Sequence, residues 1–187
     1  IHAYANQRHT DDVSLRLQQT CAAWLEVADL DDAALAQRIH SDGIDVLVDL
    51  SGHTRNNRLA VLAWKPAPVQ VSWLGYCGTT GVDLVDAFLA DPWIAPAGIE
   101  PGYVEPIVRL PESFLCFTPP AAPMIVGPLP ALSARAVHFG CFNHLAKMND
   151  AVVAAWAKIL SAVPGSRLLL QSLALHDPAI QRSVAER

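Results

Sequence analysis

Residues 44–57 read IDVLVDLSGHTRNN, and residues 69–81 read VQVSWLGYCGTTG. Both segments begin with an apolar run, at 44–50 and 69–74, of the kind that a buried parallel strand requires. Each run then passes into a loop of polar residues and glycines. The pattern predicts two buried strands of one sheet, each followed by a loop.

Helical patterns alternate with these strands along the chain. Residues 33–39 have apolar spacing typical of a helix, with Asp31 or Asp32 as its N-cap and Gly43 as its stop. Further elements are predicted as a helix at 14–24, a strand at 24–30, a helix at 57–64, a helix or strand at 83–89, strands at 136–142 and 167–171, and a helix at 150–163. Strands that alternate with helices predict parallel α/β layers.

Prolines cluster between the two α/β parts of the chain. They are Pro119, Pro120, Pro123, Pro128 and Pro130. Since proline breaks helices and cannot donate to a strand ladder, we expect little regular structure at 118–134. The sequence therefore predicts a first domain at 1–117, a linker or crossover at 118–134, and a second domain at 135–187.

Composition excludes several classes of function. Of the 187 residues, 52% are hydrophobic and 17% charged, which predicts a folded chain, and the net charge of −5 offers no cationic surface for nucleic acid or an acidic membrane. No apolar run is long enough to span a bilayer. The four cysteines show neither zinc-site nor disulfide spacing, so reduced thiols in a cytoplasmic protein are the simplest interpretation, and no metal site is predicted.

Three loops follow predicted strands and are candidates for ligand binding, because ligands of open parallel sheets lie beyond the carboxyl ends of the strands. They are residues 51–57, 75–81 and 143–147. The polar groups of the first suit a sugar or a polypeptide backbone, but a capped helix start explains them equally well. The glycines of the second permit close approach to a ligand, or simply a tight turn. In the third, Lys147 before a helix suits a diphosphate, or is a surface lysine.

Three sequence blocks in a fixed order indicate a family. They are PAPVQVSWLGYCGTTG at 66–81, YVEPIVRLPESFLCF at 103–117 and FGCFNHLAKMND at 139–150. Together they resemble the catalytic region of the protein O-GlcNAc transferase and SPINDLY family. The resemblance implies a two-lobed GT-B-like fold of Rossmann-like halves, only partly contained in this chain. It also implies transfer of N-acetylglucosamine from UDP-GlcNAc, a substrate, to Ser and Thr hydroxyls of polypeptides, with no metal or other cofactor.

The same resemblance implies roles for particular residues. Lys147 corresponds to the family's catalytic lysine, which contacts the donor diphosphate. The other donor-binding positions correspond to Leu74 and Gly75 at the sugar pocket and to Asn143 and His144. Many members of the family have Gln in place of His144. The acceptor side of the cleft falls on His53, Thr54, Arg55 and Tyr76.

Other parts of the family's machinery find no match in the chain. These are the histidine proposed as general base, a His-Thr-Thr-Gly segment that holds the nucleotide, and the tetratricopeptide repeats. We therefore expect residues 1–187 to be inactive by themselves. The alternatives are an O-fucosyltransferase using GDP-fucose, a glycosyltransferase with a glycan or small-molecule acceptor, and a non-catalytic α/β binding module.

Overall fold

Parallel strands with intervening helices make up the chain, which a computed structural model describes over residues 1–119 and 125–186. The eight strands in these residues form three sheets, and all their pairings are parallel. The predicted α/β class is therefore confirmed. The chain divides into two compact units, Ile1–Pro119 and Pro120–Arg187.

The first unit contains six strands and three α-helices. In chain order they are β1 (His2–Ala5), α1 (Asp12–Gln18), β2 (Ala23–Glu26), α2 (Asp32–Ser41), β3 (Val46–Asp49), α3 (Leu59–Leu62), β4 (Val69–Ser72), β5 (Ala87–Ala90) and β6 (Ile107–Arg109). A 3-10 helix at Glu100–Gly102 precedes β6. Strands β1 and β2 pair, and β3, β4, β5 and β6 form a second sheet in that order.

Strands β3 and β4, predicted from the apolar runs at 44–50 and 69–74, lie side by side. Val46 of β3 is opposite Val69 of β4, and the register runs on until Asp49 is opposite Ser72. Both strands therefore end at the same level, which brings the loops that follow them together. This adjacency is what positions the candidate site.

Helix α2 covers one face of this region. The Asp31 carboxylate accepts the backbone N–H of Ala34 at 2.7 Å, which confirms the predicted N-cap. Gly43 follows the helix with φ +67°, a left-handed conformation that favours glycine. The helix buries Leu35, Ala36 and Ile39 in a cluster with Val27, which directly follows β2, and Val61 of α3.

Strand β3 is less buried than its apolar sequence predicts. Leu47 packs against the clusters formed by α2 and α3, but Val46 and Val48 are 53% and 42% exposed. The reason is geometric, because successive side chains of a strand point to opposite faces and only one face of β3 meets the helices. The run at 44–50 was thus a correct indication of a strand and a wrong indication of burial on both faces.

Arg58 connects the loops that follow β1, β2 and β3. Its guanidinium donates to the Asp32 carboxylate at 2.6 Å, to the Asn6 side-chain oxygen at 3.0 Å and to the Leu30 carbonyl at 2.8 Å. Three acceptors in different directions match the planar, multi-donor shape of arginine. Arg58 therefore holds the start of α3 against the ends of the β1–β2 sheet.

We expect Arg58→Lys to lower the free energy of unfolding by about 1.5–3 kcal/mol, because lysine keeps the charge but cannot reach all three acceptors. Urea denaturation measures this. Arg8→Lys is the matched control, since the Arg8–Asp29 ion pair is 78% and 81% exposed, and surface changes of this kind stay within about 0.5 kcal/mol. Equal effects of the two substitutions would contradict the role given to Arg58.

The second unit has a strand pair and three α-helices among residues 125–186. They are α4 (Pro130–Ala134), β7 (His138–Cys141), α5 (Asp150–Ala162), β8 (Arg167–Leu170) and α6 (Pro178–Ala185), with 3-10 helices at Leu145–Lys147 and Leu173–His176. The predicted strands at 136–142 and 167–171 and the helix at 150–163 are confirmed, each slightly shorter. The longest described helix, α5, has 13 residues, and no helix of the described ranges is long and apolar enough to cross a membrane.

The proline-rich segment 118–134 is more regular than its sequence predicts. Pro130 begins α4, where a missing N–H costs nothing because the first N–H groups of a helix have no partner within it. The prediction of little regular structure is therefore wrong at 130–134. Residues 120–124 of the same segment lie outside the described residues.

Candidate functional site

The loop after β4 begins with an unusual turn. The backbone N–H of Gly75 donates to the Trp73 carbonyl at 2.9 Å, and Leu74 between them has φ +72°. This is a γ-turn of the rare, strained kind, and a leucine adopts it only when its surroundings enforce it. The predicted sugar-pocket pair, Leu74 and Gly75, therefore occupies a tightly constrained turn.

Gly75 is required by the neighbouring loop. A Cβ atom on Gly75 would lie 2.2 Å from the Leu50 carbonyl oxygen and 2.7 Å from the Ser51 Cα. A Cβ on Gly52 would lie 2.5 Å from the Tyr76 Cβ. The loops after β3 and β4 thus pack backbone against backbone. This explains the glycine at 75 without a ligand, whereas the sequence argument left open close approach to a ligand or a tight turn.

Asp49 fixes the start of both loops. Its carboxylate accepts the backbone N–H groups of Ser51 at 3.1 Å and Gly52 at 2.8 Å, and the Ser72 hydroxyl at 3.1 Å. The first two bonds shape the turn after β3, and the third connects it to β4. No functional role is predicted for Asp49 from the sequence, because neither a partner nor its spacing from Asp45 indicates an acid/base pair.

His53 and Tyr76 come together across the two loops. Their rings meet edge to face with centroids 5.3 Å apart, and the His53 Nε2 lies 3.1 Å from the Thr79 carbonyl oxygen. A carbonyl only accepts hydrogen bonds, so the Nε2 carries a proton, and Nδ1 is the basic nitrogen of the neutral ring. Both side chains are exposed and therefore accessible to a ligand.

The other two predicted acceptor-side residues follow His53 in the chain. The Thr54 hydroxyl donates to the Ser51 carbonyl at 2.9 Å, which is a bond within the turn. Arg55 is exposed. The structure therefore brings His53 and Tyr76 into contact, and it places Thr54 and Arg55 on the same loop.

Glu105 closes the far end of the Gly75–Gly81 loop. It is 4% exposed, and its carboxylate accepts the Thr79 hydroxyl at 2.7 Å, the Thr80 N–H at 2.6 Å and the Thr80 hydroxyl. Burial would raise the pKa of Glu105, but the hydrogen bonds from Thr80 and Thr79 outweigh it and hold this pKa below its ordinary value. Sequence reasoning missed Glu105, since a lone glutamate 25 residues from its partners carries no local signal.

The lowered pKa predicts a pH-dependent contribution to stability. A carboxyl group with a depressed pKa stabilises the fold above its unfolded pKa, and the contribution is lost as the pH falls through the folded value. We expect the difference in unfolding free energy between wild type and Glu105→Gln to be largest at neutral pH and to shrink below about pH 4.5. Burial raises the pKa of the nearby Tyr103 above its ordinary value, so this group stays neutral over the range, and the other titratable groups are common to both proteins. Urea denaturation at several pH values measures this difference in unfolding free energy. A difference that stays the same at every pH would contradict the prediction.

The third loop lines a pocket of the second unit, about 160 Å³ in volume. Asn143, His144 and Lys147 are among its lining residues, together with Cys141, Leu145, Met148, Val152, Trp156, Leu170 and Gln171. The pocket is therefore lined by polar groups of this loop together with mainly apolar residues of β7, α5 and β8. The three donor-binding residues predicted in this loop share one concave surface.

The pocket presents hydrogen-bond donors. His144 Nδ1 accepts the backbone N–H of Ala146 at 3.1 Å, so in the neutral ring the proton lies on Nε2, which is then a donor. Lys147 ends a 3-10 helix, and α5 begins only after Asn149, whose side chain caps it by accepting the N–H of Val152. An ammonium and an imidazole N–H beside a helix start can together receive an anion. Within residues 1–119 and 125–186, no cluster of His, Cys, Asp and Glu is arranged to hold a metal ion.

Comparison with known proteins gives the family. The profile of glycosyl transferase family 41 matches residues 2–118, more than half of the chain. This chain belongs to glycosyl transferase family 41. The match contains both loops of the first unit, and the resemblance drawn from the three sequence blocks is confirmed.

Relatives in the family extend well beyond this chain. The probable UDP-N-acetylglucosamine–peptide N-acetylglucosaminyltransferase SPINDLY of Arabidopsis thaliana is 46% identical over 148 residues, which cover 79% of this chain and 16% of the relative. The corresponding tomato (Solanum lycopersicum) protein is 45% identical with the same coverage. The probable enzyme SEC of Arabidopsis thaliana is 32% identical over 165 residues, 83% of this chain and 17% of that protein.

A solved structure matches both units. A Thermobaculum terrenum O-GlcNAc transferase with a lysine-to-methionine substitution is 38% identical, with a TM-score of 0.88 over 98% of this chain and 34% of that one. The fold of this O-GlcNAc transferase is therefore shared by nearly all of the chain. The chain spans about a third of this solved protein and about a sixth of the curated relatives.

Proposed function

We propose that the full-length protein carrying this chain transfers N-acetylglucosamine from UDP-GlcNAc to Ser and Thr hydroxyls of polypeptides. The observation that supports this most is the placement of Lys147, His144 and Asn143 in one pocket of a family 41 chain. The two SPINDLY relatives named above are described as probable UDP-N-acetylglucosamine–peptide N-acetylglucosaminyltransferases.

The chemistry asks for positive charge at the leaving group. As the bond between the sugar C1 and the diphosphate oxygen breaks, negative charge develops on the diphosphate. We assign its stabilisation to the Lys147 ammonium and the His144 Nε2–H, the charged and neutral donors of the pocket. Asn143 adds a side-chain amide at the same edge. With these donors, we propose that transfer needs no bound metal, and unchanged turnover in EDTA is the expected result.

The acceptor hydroxyl attacks C1 as the diphosphate leaves, and its proton passes to a base that we place outside this chain. We assign the sugar pocket to Leu74 and Gly75, and contacts with the polypeptide to Tyr76, His53, Arg55 and Thr54. Support for the second group is the exposure of the His53–Tyr76 pair directly beside the strained turn. Acceptor and sugar contacts then come from one loop pair.

Donor identity is tested by titration calorimetry and transfer assays of the full-length protein. We expect UDP-GlcNAc to bind and to be turned over, and GDP-fucose to do neither. Fucose transfer would replace the proposal with an O-fucosyltransferase, and transfer only to a glycan or small molecule would change the acceptor class. Absence of binding of either donor would indicate a non-catalytic binding module.

We also propose a cytoplasmic location and no nucleic-acid or membrane partner. Four cysteines are free, as expected in a reducing compartment, and the net charge is −5. Subcellular fractionation tests the location, and recovery of the protein from a secretory compartment would contradict it.

A further inference from the structure

We infer that Glu105 is a positioning residue for the acceptor side of the cleft, holding the loop that carries Tyr76 and supports His53. The inference rests on the proposed function, because the acceptor side is defined by it. Glu105 lies in another segment of the chain and is not among the residues assigned to donor or acceptor binding.

The Gly75–Gly81 loop is held separately at its two ends. Its first residue lies against the backbone of Leu50 and Ser51, which fixes the sugar-pocket turn without help from Glu105. Its last residues depend on the segment before β6. There Glu105 accepts three hydrogen bonds, two from the hydroxyls of Thr79 and Thr80 and one from the Thr80 backbone N–H.

Neighbours of Glu105 on its own segment reinforce this end. The Val104 backbone N–H donates to the Thr79 hydroxyl oxygen at 3.2 Å, and the Tyr103 hydroxyl donates to the Cys77 carbonyl at 3.0 Å. Three successive residues, 103–105, thus each hydrogen-bond to the second half of the loop. The buried carboxylate is the charged member, and it accepts the most bonds.

Thr79 transmits the constraint to the acceptor side. Its hydroxyl is held by Glu105, and its carbonyl oxygen lies 3.1 Å from the His53 Nε2. His53 in turn contacts the Tyr76 ring edge to face. Movement of Thr79 therefore displaces the carbonyl that bonds His53 and, through His53, the ring that contacts Tyr76.

Glutamine at position 105 cannot satisfy this arrangement. The Thr79 hydroxyl oxygen already accepts N–H groups from Gly81 and Val104 at 3.2 Å, so it has no lone pair left for an amide N–H. Turning the amide round instead sets its N–H against the Thr80 N–H. Either orientation leaves donors facing each other or unpaired in a buried place.

The test uses Glu105→Gln in the full-length protein, with UDP-GlcNAc and a Ser/Thr-containing peptide. We expect kcat/KM for the peptide to fall by about tenfold to 100-fold, since misplacing a positioning group by about 1 Å costs up to 10²-fold. The Kd for UDP-GlcNAc should stay unchanged, because Gly75 is held from the other side. Hydrogen exchange of residues 79–81, at the end that Glu105 holds, should quicken, whereas exchange of Gly75 should not change. This readout is independent of activity.

Matched variants separate positioning from general destabilisation. Glu112→Gln changes an exposed carboxylate shortly after β6 and should leave all three measurements unchanged. Thr79→Val removes the hydroxyl and should reproduce the loss, whereas Thr79→Ser keeps it and should retain activity. If the wild-type protein is active and Glu105→Gln has the same kcat/KM for the peptide, the role of Glu105 is overturned but the proposed function is not. A wild-type protein without transferase activity would overturn the proposed function and the role of Glu105 together. If Glu105→Gln raised the Kd for UDP-GlcNAc by the same factor as it lowered kcat/KM for the peptide, the two ends of the loop would not be held independently.

Discussion

We expect replacement of Lys147 by alanine in the full-length protein to lower kcat by about 10²–10³, the usual cost of removing one preorganised donor to a developing negative charge. The expected loss is mainly in kcat rather than in donor KM, because the charge on the diphosphate grows as the bond to the sugar breaks. Steady-state kinetics with UDP-GlcNAc and a peptide measures both constants.

Lys158→Ala is the control for the loss of a positive charge. Lys158 lies on α5 in the same unit, is exposed, and is not among the residues that line the pocket. We expect this variant to keep wild-type kinetics. Near-normal turnover of Lys147→Ala would remove Lys147 from the catalytic machinery.

We expect Gly75→Ala to have the second large effect, on both stability and activity. The added Cβ meets the backbone of Leu50 and Ser51 at 2.2–2.8 Å, and backbone atoms cannot move aside as the tip of a side chain does. Overpacking of this kind costs about 1–3 kcal/mol and sometimes more, and we expect at least the upper end. The two loops must separate, and because this displaces Leu74, the proposed sugar-pocket residue, we expect donor binding to weaken.

Gly102→Ala provides the matched glycine control. A Cβ there meets no atom within 4 Å, so stability and donor affinity should remain as in the wild type. Urea denaturation and titration calorimetry compare the two variants. A Gly75→Ala protein with unchanged stability would show that the loops do not pack as closely as described.

The fold was largely predictable because its main signals are local. An apolar run ending in polar residues indicates a strand such as β3 or β4, and Asp31 and Gly43 mark the two ends of α2. Strand β1 was missed because four residues with one histidine and one tyrosine carry too little periodicity. Exposure of the outer face of β3 was missed because the sequence of a strand does not reveal which faces are covered.

The candidate site was predictable only in part. The rule that loops at the carboxyl ends of parallel strands converge correctly located the contact between the loops after β3 and β4. It could not indicate Glu105, since its bonds to Thr79 and Thr80 join residues about 25 positions apart. The reason for Gly75 also lay in the fold, because its close neighbour is the backbone of another loop.

The most direct test of the proposed function is mass spectrometry of a peptide incubated with the full-length protein and either UDP-GlcNAc or GDP-fucose. A second peptide with alanine in place of every Ser and Thr controls for the attachment site. We expect the first peptide to gain one N-acetylhexosamine from UDP-GlcNAc on a Ser or Thr, and the second to gain nothing. A fucosylated peptide, or an unmodified peptide with both donors, would contradict the proposal.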